Sequence, residues 1–252
     1  CYLIARFARS LHTVLTNVPD DYTLPSLNQV GYSMVVADGM GGAAAGEVAS
    51  RSAVESLTKL IQCTRDWIFA DDDAHLELVM ARMAERFSEV DRMLVQKASA
   101  NPAFKGMGTT LTLACSLGLD LILCHIGDSR AYLLRDGALR QLTRDMTVAQ
   151  GLIDAGLLDP TEKAAHRLRH ALTQCIGQGH VSADVQRHVL RDGDRLLLCS
   201  DGLTDMVGDE EIANLMRGVA TPEEACNRLI QHALQAGGHD NVTIVIADYR
   251  VS

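Results

Sequence analysis

Four aspartates in this chain stand where an apolar run meets a turn. They are Asp38 in "MVVADGMGG", Asp128 in "LCHIGDSR", Asp201 in "LLLCSDGL" and Asp240 in "GGHDNVTI", the last preceding its run. Each alone reads as ordinary turn chemistry, in which a short carboxylate bonds nearby backbone. Four together, each on the same kind of strand edge, also read as carboxylates delivered to one cleft. Clustered carboxylates cannot all stay ionised in a low-dielectric cleft without compensating charge, and a divalent cation supplies it. Oxygen donors, with no Cys or paired His among them, favour Mg²⁺ or Mn²⁺ over structural Zn²⁺. Two such ions roughly 3.5–4 Å apart can hold a bridging water, lower its pKa and neutralise a phosphoryl oxygen, which hydrolyses a phosphate ester without a covalent enzyme intermediate. Glycine beside Asp38 leaves room for a backbone carbonyl to reach an ion.

The elements that must carry these groups follow from periodicity. "YSMVVADG" is a strand entering the glycine turn. In "GEVASRSAVESLTKLIQ", Ala49, Ala53, Leu57, Leu60 and Ile61 share one helical face. The same spacing recurs with Leu76, Val79, Met80, Met83, Phe87, Val90 and Leu94, whose methionines suit core packing better than a cofactor site. "GTTLTLACSLG", "LDLILCHIGDS" and "RAYLLRDGALRQLT" read as successive strands with an Asp136-Gly137 hairpin turn. The stretch from Met146 to Gly179 reads as helical and polar. "TPEEACNRLIQHALQAGG" is a helix with Thr221 as N-cap, Pro222 in the first turn, Glu224 closing a capping box and Gly237 as the stop. With "NVTIVIADYR" as a last strand, the order predicts an α+β fold of stacked sheets covered by helices. No repeat or linker divides the chain, so one domain over 1–252 is expected.

Composition limits the function classes. The chain has 252 residues and a formal net charge of −9, which argues against binding a nucleic-acid backbone as its main task. Its seven cysteines show no C-x-x-C pair, and several sit in apolar runs where a thiol acts as a small hydrophobe. An odd number of such thiols, no apolar stretch of membrane-spanning length and no signal sequence predict a cytoplasmic, membrane-free protein. The first residue is not Met, which is expected of a domain cut from a longer protein.

The ordered segments "DGMGG", "GTTLTLACSLGLDLILCHIGDSRAYLLRDGALRQLTRD", "LLLCSDGLTDMV" and "GGHDNVTIVI" resemble the metal-dependent protein phosphatases of the type 2C family, particularly its bacterial members. The likeness runs from about Tyr32 to Tyr249. It implies two stacked antiparallel β-sheets flanked by helix pairs, with a mobile flap at about 144–180 beside the cleft. It implies hydrolysis of phosphoserine and phosphothreonine in proteins, the products of a serine/threonine kinase, by water or hydroxide bridging two Mn²⁺ or Mg²⁺ ions. Asp38 would bridge the two ions and the Gly39 carbonyl would complete the second. Asp201 and Asp240 would hold the first, and Asp128 with Asp201 a third. A monomer is expected.

Upstream of the first glycine motif the family carries an arginine and then an acidic pair. Asp20 and Asp21 stand near that place, either as outer partners of metal-bound water or as a plain Pro-Asp-Asp turn. Thr16 occupies the expected arginine spacing, leaving Arg9 or Arg6 as the phosphate clamp. Met40 stands where many eukaryotic relatives have a histidine that protonates the leaving group. His12, His170 and His239 are alternative proton donors or ordinary surface histidines, while His125 reads as a core residue. Asp71 to Asp73 read as an acidic helix entrance. An active phosphatase, a catalytically weak or silent relative that binds phosphoproteins or regulates a kinase, and a small-ester phosphohydrolase all fit these residues.

Overall fold

The computed structural model describes residues 1–11, 27–63 and 73–250. Two antiparallel sheets form its centre. The larger has strand order β1-β2-β5-β6-β9, built from β1 (Tyr2–Leu11), β2 (Leu27–Val36), β5 (Leu111–Leu117), β6 (Asp120–Ile126) and β9 (Asp184–Val189). The smaller has the order β11-β10-β7-β8, from β7 (Arg130–Arg135), β8 (Ala138–Gln141), β10 (Arg195–Cys199) and β11 (Ile244–Asp248). A short ribbon pairs β3 (Gly39–Met40) with β4 (Gly108–Thr109). The expected α+β sandwich is therefore present.

Side-chain alternation explains the layering. Met34 and Val36 of β2 face the layer between the sheets, with Leu121, Leu123, Leu133, Leu196 and Leu198. Val35 and Ala37 face the opposite way, onto α1 (Ala43–Cys63) and α2 (Asp73–Ala100), with Leu113, Cys115, Ile122 and Cys124. Leu197 and Cys199 likewise turn from the inter-sheet layer to the far side. There they meet α5 (Asp201–Thr204), α6 (Asp209–Met216) and α7 (Pro222–Gln235). Central strands covered on both faces must be apolar on both, which is why β5 is buried throughout and reads as a continuous run. The helix faces foreseen from spacing are the buried ones: Ala49, Ala53 and Leu57 on α1, and Met83, Phe87, Val90 and Leu94 on α2. Cys115 and Cys199 are free and buried, and burial pushes each thiol up to about 12, leaving small hydrophobes.

Turn chemistry sets the register. Asp136 and Gly137 have φ of 52° and 76°, the positive pair that a two-residue hairpin needs, and Arg135 faces Ala138 across it. Thr221 caps α7 by accepting from the Glu224 N–H at 3.2 Å. The Glu224 carboxylate accepts from Arg228 at 2.7 Å, so the expected capping box is half formed. Ion pairs close the strand ends remote from the aspartates: Arg195 with Asp248 at 2.5 and 2.9 Å, and Arg135 with Asp194 at 2.8 and 2.6 Å.

One element has no counterpart in the sequence reading and another departs from it. β1 pairs along its full length with β2, although its apolar residues fall on both faces and give no clean alternation. It is an edge strand whose Leu3 and Phe7 pack toward the helices, leaving Tyr2 and Ile4 on the other face 63% and 59% exposed. The stretch from Met146 to Gly179 holds only two short helices, α3 (Val148–Asp154) and α4 (Lys163–Leu168), rather than continuous helix. Turns and two isolated bridges, Thr147 to Leu172 and Thr109 to Ile176, organise the remainder. Here the chain gains its packing from the body of the fold instead of from helix propagation.

Phe87 is fully buried between α2 and the larger sheet. Phe87→Ala is expected to lower unfolding free energy by about 3–5 kcal/mol, read from urea denaturation. A loss below about 1 kcal/mol would contradict this core assignment.

Candidate metal centre

Asp38 follows β2 and is held through its backbone. Its N–H donates to Thr110 Oγ1 (2.9 Å), and its carbonyl accepts from the Thr110 N–H (2.8 Å) and from Thr109 Oγ1 (2.7 Å). The Thr110 hydroxyl lies 2.7 Å from the Ser129 hydroxyl, which ties this corner to the loop carrying Asp128. Gly39 and Gly46 let the first turn of α1 touch the strand: a Cβ on Gly39 would lie 1.9 Å from the Gly46 carbonyl oxygen. The glycines of "DGMGG" thus bring a helix against the strand end.

A second clamp joins Asp201 to Asp240. Ser200 exchanges backbone and side-chain bonds with the 241–243 loop: its N–H donates to the Thr243 carbonyl (3.0 Å), and its Oγ accepts from the Thr243 N–H (3.1 Å). That Oγ also donates to the Asn241 carbonyl at 3.2 Å. A Cβ on Gly202 would lie 2.4 Å from the same carbonyl oxygen, so only glycine permits the approach. Asp240 Oδ1 accepts from the Asn241 N–H at 2.7 Å. As a result Asp38, Gly39, Asp128, Asp201 and Asp240 line one cavity of about 120 Å³, with Met40, Thr110, His170 and Leu172.

Crowding shows in the electrostatics. Burial first, then the charges of Asp201 and Asp240, push the Asp38 carboxyl up to about 7. Burial, then Asp201, Asp145 and Asp38, push Asp128 up to about 8. Asp201 Oδ1 is buried and is the one such side-chain oxygen or nitrogen among the described residues without a hydrogen-bond partner. A buried, unpartnered carboxylate oxygen amid like charges is costly unless a cation meets it. These all-oxygen donors therefore fit a hard divalent ion.

Sequence reasoning missed Asp205 and Arg169. His170 Nδ1 lies 3.9 Å from Asp201 Oδ2 and its Nε2 lies 3.6 Å from Asp205 Oδ2, while Arg169 Nη2 lies 3.4 Å from Asp205 Oδ1. Atoms of His170, Asp201 and Asp205 fall within 4.8 Å of one another. The available signal was the four-residue spacing from Asp201 to Asp205. His239 is exposed and outside the cavity lining. His12, Thr16, Asp20, Asp21, Asp71 and Asp72 lie outside the described residues, and Asp73 pairs with Arg187 at 2.7 Å. His125 is satisfied in the core, with Nδ1 2.9 Å from Thr112 Oγ1 and Nε2 3.0 Å from the Gly127 carbonyl oxygen. Burial lowers its pKa to about 4, so the ring is neutral, with Nε2–H donating to Gly127.

Arg9 is not brought to the cleft. Tyr2 faces Val36 beside Asp38, whereas Arg9 faces Gln29, seven residues back along β2. At about 3.3 Å per residue that is roughly 23 Å from the strand end. Thr16 holds the expected arginine spacing and Arg9 lies further back along the chain; the antiparallel register sets its backbone at the end of the β1–β2 pairing away from Asp38.

A profile of the family described as protein phosphatase 2C matches residues 12–236. The serine/threonine protein phosphatase PstP of Mycobacterium tuberculosis is 40% identical over 215 residues, covering 85% of this chain and 40% of that protein. The protein phosphatase PhpP of Streptococcus pneumoniae is 34% identical over 228 residues, covering 90% of this chain and 89% of that protein. This chain thus spans less than half the length of the mycobacterial relative. Among solved structures, the catalytic domain of PstP in complex with two manganese ions matches with TM-score 0.72 and 35% identity over 98% of this chain and 99% of that one. The serine/threonine phosphatase of S. agalactiae matches with TM-score 0.77 and 29% identity over 99% and 100%.

A carboxyl whose folded pKa lies above its unfolded value binds a proton that the unfolded chain has lost, so its contribution falls as pH rises from about 4 to 8. His125, with its lowered pKa, has the opposite slope below about 6.5. Asp128→Asn removes the charge that must be buried. In metal-free protein the variant should gain melting temperature over wild type progressively from pH 6.5 to 8. A constant or shrinking difference would contradict the crowding at Asp128.

Proposed function

Since this chain belongs to the protein phosphatase 2C family, we propose that it is a metal-dependent serine/threonine phosphoprotein phosphatase, a phosphoric monoester hydrolase. The observation that carries this reading is the convergence of Asp38, Asp128, Asp201 and Asp240 on one cavity in which Asp201 Oδ1 is buried without a partner. Asp38 and the Gly39 carbonyl, with Asp201 and Asp240, would hold two Mn²⁺ or Mg²⁺ ions, and Asp128 with Asp201 a third. Bound there, such ions supply positive charge for the phosphoryl oxygens and acidify water for attack on phosphorus.

The chain's own groups prepare that chemistry. Thr109, Thr110 and Ser129 fix the Asp38 backbone, while Ser200 fixes the loops of Asp201 and Asp240, so the carboxylates are preorganised rather than gathered by ligand. Met40 lines the cavity and has no proton to give. His170 is the histidine in the cavity lining, placed to hold a proton at Nδ1 or Nε2 for the departing serine or threonine oxygen. Residues of about 144–180, which bring His170 there, serve as the flap of a single catalytic domain and contact the protein substrate. Substrates are phosphoserine and phosphothreonine proteins made by a serine/threonine kinase, and the protein acts as a cytoplasmic monomer in signalling. Buried free thiols support that location, and no helix among the described residues is long and apolar enough to cross a membrane.

The silent alternative draws on one observation: among the described residues no arginine lines this cavity, and the backbone of Arg9 pairs at the far end of β2. A weak phosphate clamp lowers transition-state stabilisation while leaving the carboxylates intact.

Purified protein should hydrolyse p-nitrophenyl phosphate with Mn²⁺ and stop with EDTA. Asp38→Ala should cost more than the 10–100-fold typical of groups that merely support a ligand, i.e. above about 100-fold in kcat. Asp128→Ala should keep Mn²⁺ binding at the core and still lose much turnover. Undiminished rates under chelation would sink the mechanism, and phosphothreonine peptides outpaced by sugar phosphates would reassign the substrate class.

A further inference from the structure

Asp91 lies within α2, 2% exposed, on a helix that otherwise supplies core side chains. Its Oδ1 accepts three successive backbone N–H groups, from Gly177 (2.6 Å), Gln178 (3.1 Å) and Gly179 (3.2 Å). Positive φ at Gly177 (105°) and Gly179 (91°) turns these amides toward one point, a nest for a negative oxygen. A Cβ on Gly177 would lie 2.8 Å from the Met107 carbonyl oxygen, so this loop is also pressed against the strand that follows α2. Charged acceptors hold N–H donors about twice as strongly as neutral ones.

The loop begins where Ile176 ends. Ile176 and Thr109 exchange backbone bonds in both directions, at 3.0 and 2.9 Å. Thr109 Oγ1 donates to the Asp38 carbonyl, and the adjacent Thr110 brackets Asp38 from both sides. One unbroken set of short contacts therefore runs from the Asp91 carboxylate, through Gly177–Gly179 and Ile176, to the backbone of Asp38.

We propose that Asp91 is a positioning residue: by gathering the Gly177–Gly179 amides it holds the Ile176–Thr109 bridge and so fixes the frame in which Asp38 meets the cations. The proposal rests on the two-cation reading above. The same oxygen anchors the returning end of the 144–180 segment, so the flap and Asp38 share one support. Asp91 does not touch the cavity, and its effect reaches the ions only through backbone.

Mn²⁺ binding to purified protein, measured by isothermal titration calorimetry, tests this without relying on turnover. Asp91→Ala should weaken Mn²⁺ binding by about tenfold or more, as loss of a ligand's support does. The Mn²⁺ concentration for half-maximal p-nitrophenyl phosphate hydrolysis should rise by the same factor. Val90→Ala, one residue away in the α2 core, should lower melting temperature while leaving Mn²⁺ affinity unchanged. Wild-type affinity in a folded Asp91→Ala protein, or an equal loss in Val90→Ala, overturns the proposal. If Asp91→Ala does not fold, Asp91→Asn decides: its neutral oxygen should give about threefold weaker binding, and wild-type affinity overturns the role. Wild-type protein that takes up no Mn²⁺ would instead overturn the two-cation reading itself.

Discussion

Like charges held close in a poorly solvated space set the terms for this molecule. Four carboxylates meet at one cavity, and two are displaced toward the protonated form by burial and by their neighbours. Left to themselves the loops would part to hydrate them. They do not, because main chain fastens the corners that carry them: Asp38 by Thr109 and Thr110, and the loops of Asp201 and Asp240 by Ser200, with Asp240 Oδ1 also held by the Asn241 N–H. The carboxylate oxygens are thereby kept available, and one of them, Asp201 Oδ1, is left with nothing to bond. Crowded carboxylates with a buried oxygen unpartnered cost stability locally, a usual arrangement at functional sites.

The sandwich makes that fastening affordable by bringing strand ends from both sheets to the same edge. β2 leads into Asp38 and β6 toward Asp128 in the larger sheet, while β10 leads into Asp201 and Asp240 precedes β11 in the smaller. Contacts that demand glycine, at Gly39 against Gly46 and at Gly202 against Asn241, close the remaining gaps. The apolar layer between the sheets, with Met34, Val36, Leu196 and Leu198 in it, fixes the spacing of the two halves. Side-chain alternation in β2 and β10 therefore reaches into the geometry of the cleft.

Much of this was legible beforehand, for local reasons. An aspartate where an apolar run breaks is visible in one dimension, as are the positive-φ pair Asp136-Gly137 and the Thr221 cap. What was not legible depends on partners distant in the chain. β1 half-buries Leu3, Ala5 and Phe7 on the face toward the helices, yet Tyr2 and Ile4 on its other face are apolar and exposed, so its sequence gives no clean alternation. The 146–179 stretch carries helical-looking composition, yet its backbone is claimed by Thr109, Met146 and Asp91. Asp91 itself looks like any helix-surface acid until Gly177 to Gly179 are folded over it. Arg9, named as a clamp only because Thr16 holds the expected spacing, falls at the far end of the β1–β2 pairing, which separation in sequence does not reveal.

The paired arginines at the opposite strand ends carry a last implication. There Arg135 meets Asp194 and Arg195 meets Asp248, so acids at that pole are neutralised by the protein's own bases. At the cleft pole Asp205 meets Arg169 and His170, while Asp38 and Asp128 are crowded by other carboxylates and Asp201 Oδ1 is left without a partner. Carboxylates crowded in that cavity oppose the approach of a phosphate dianion, and positive charge held among them would offset the repulsion.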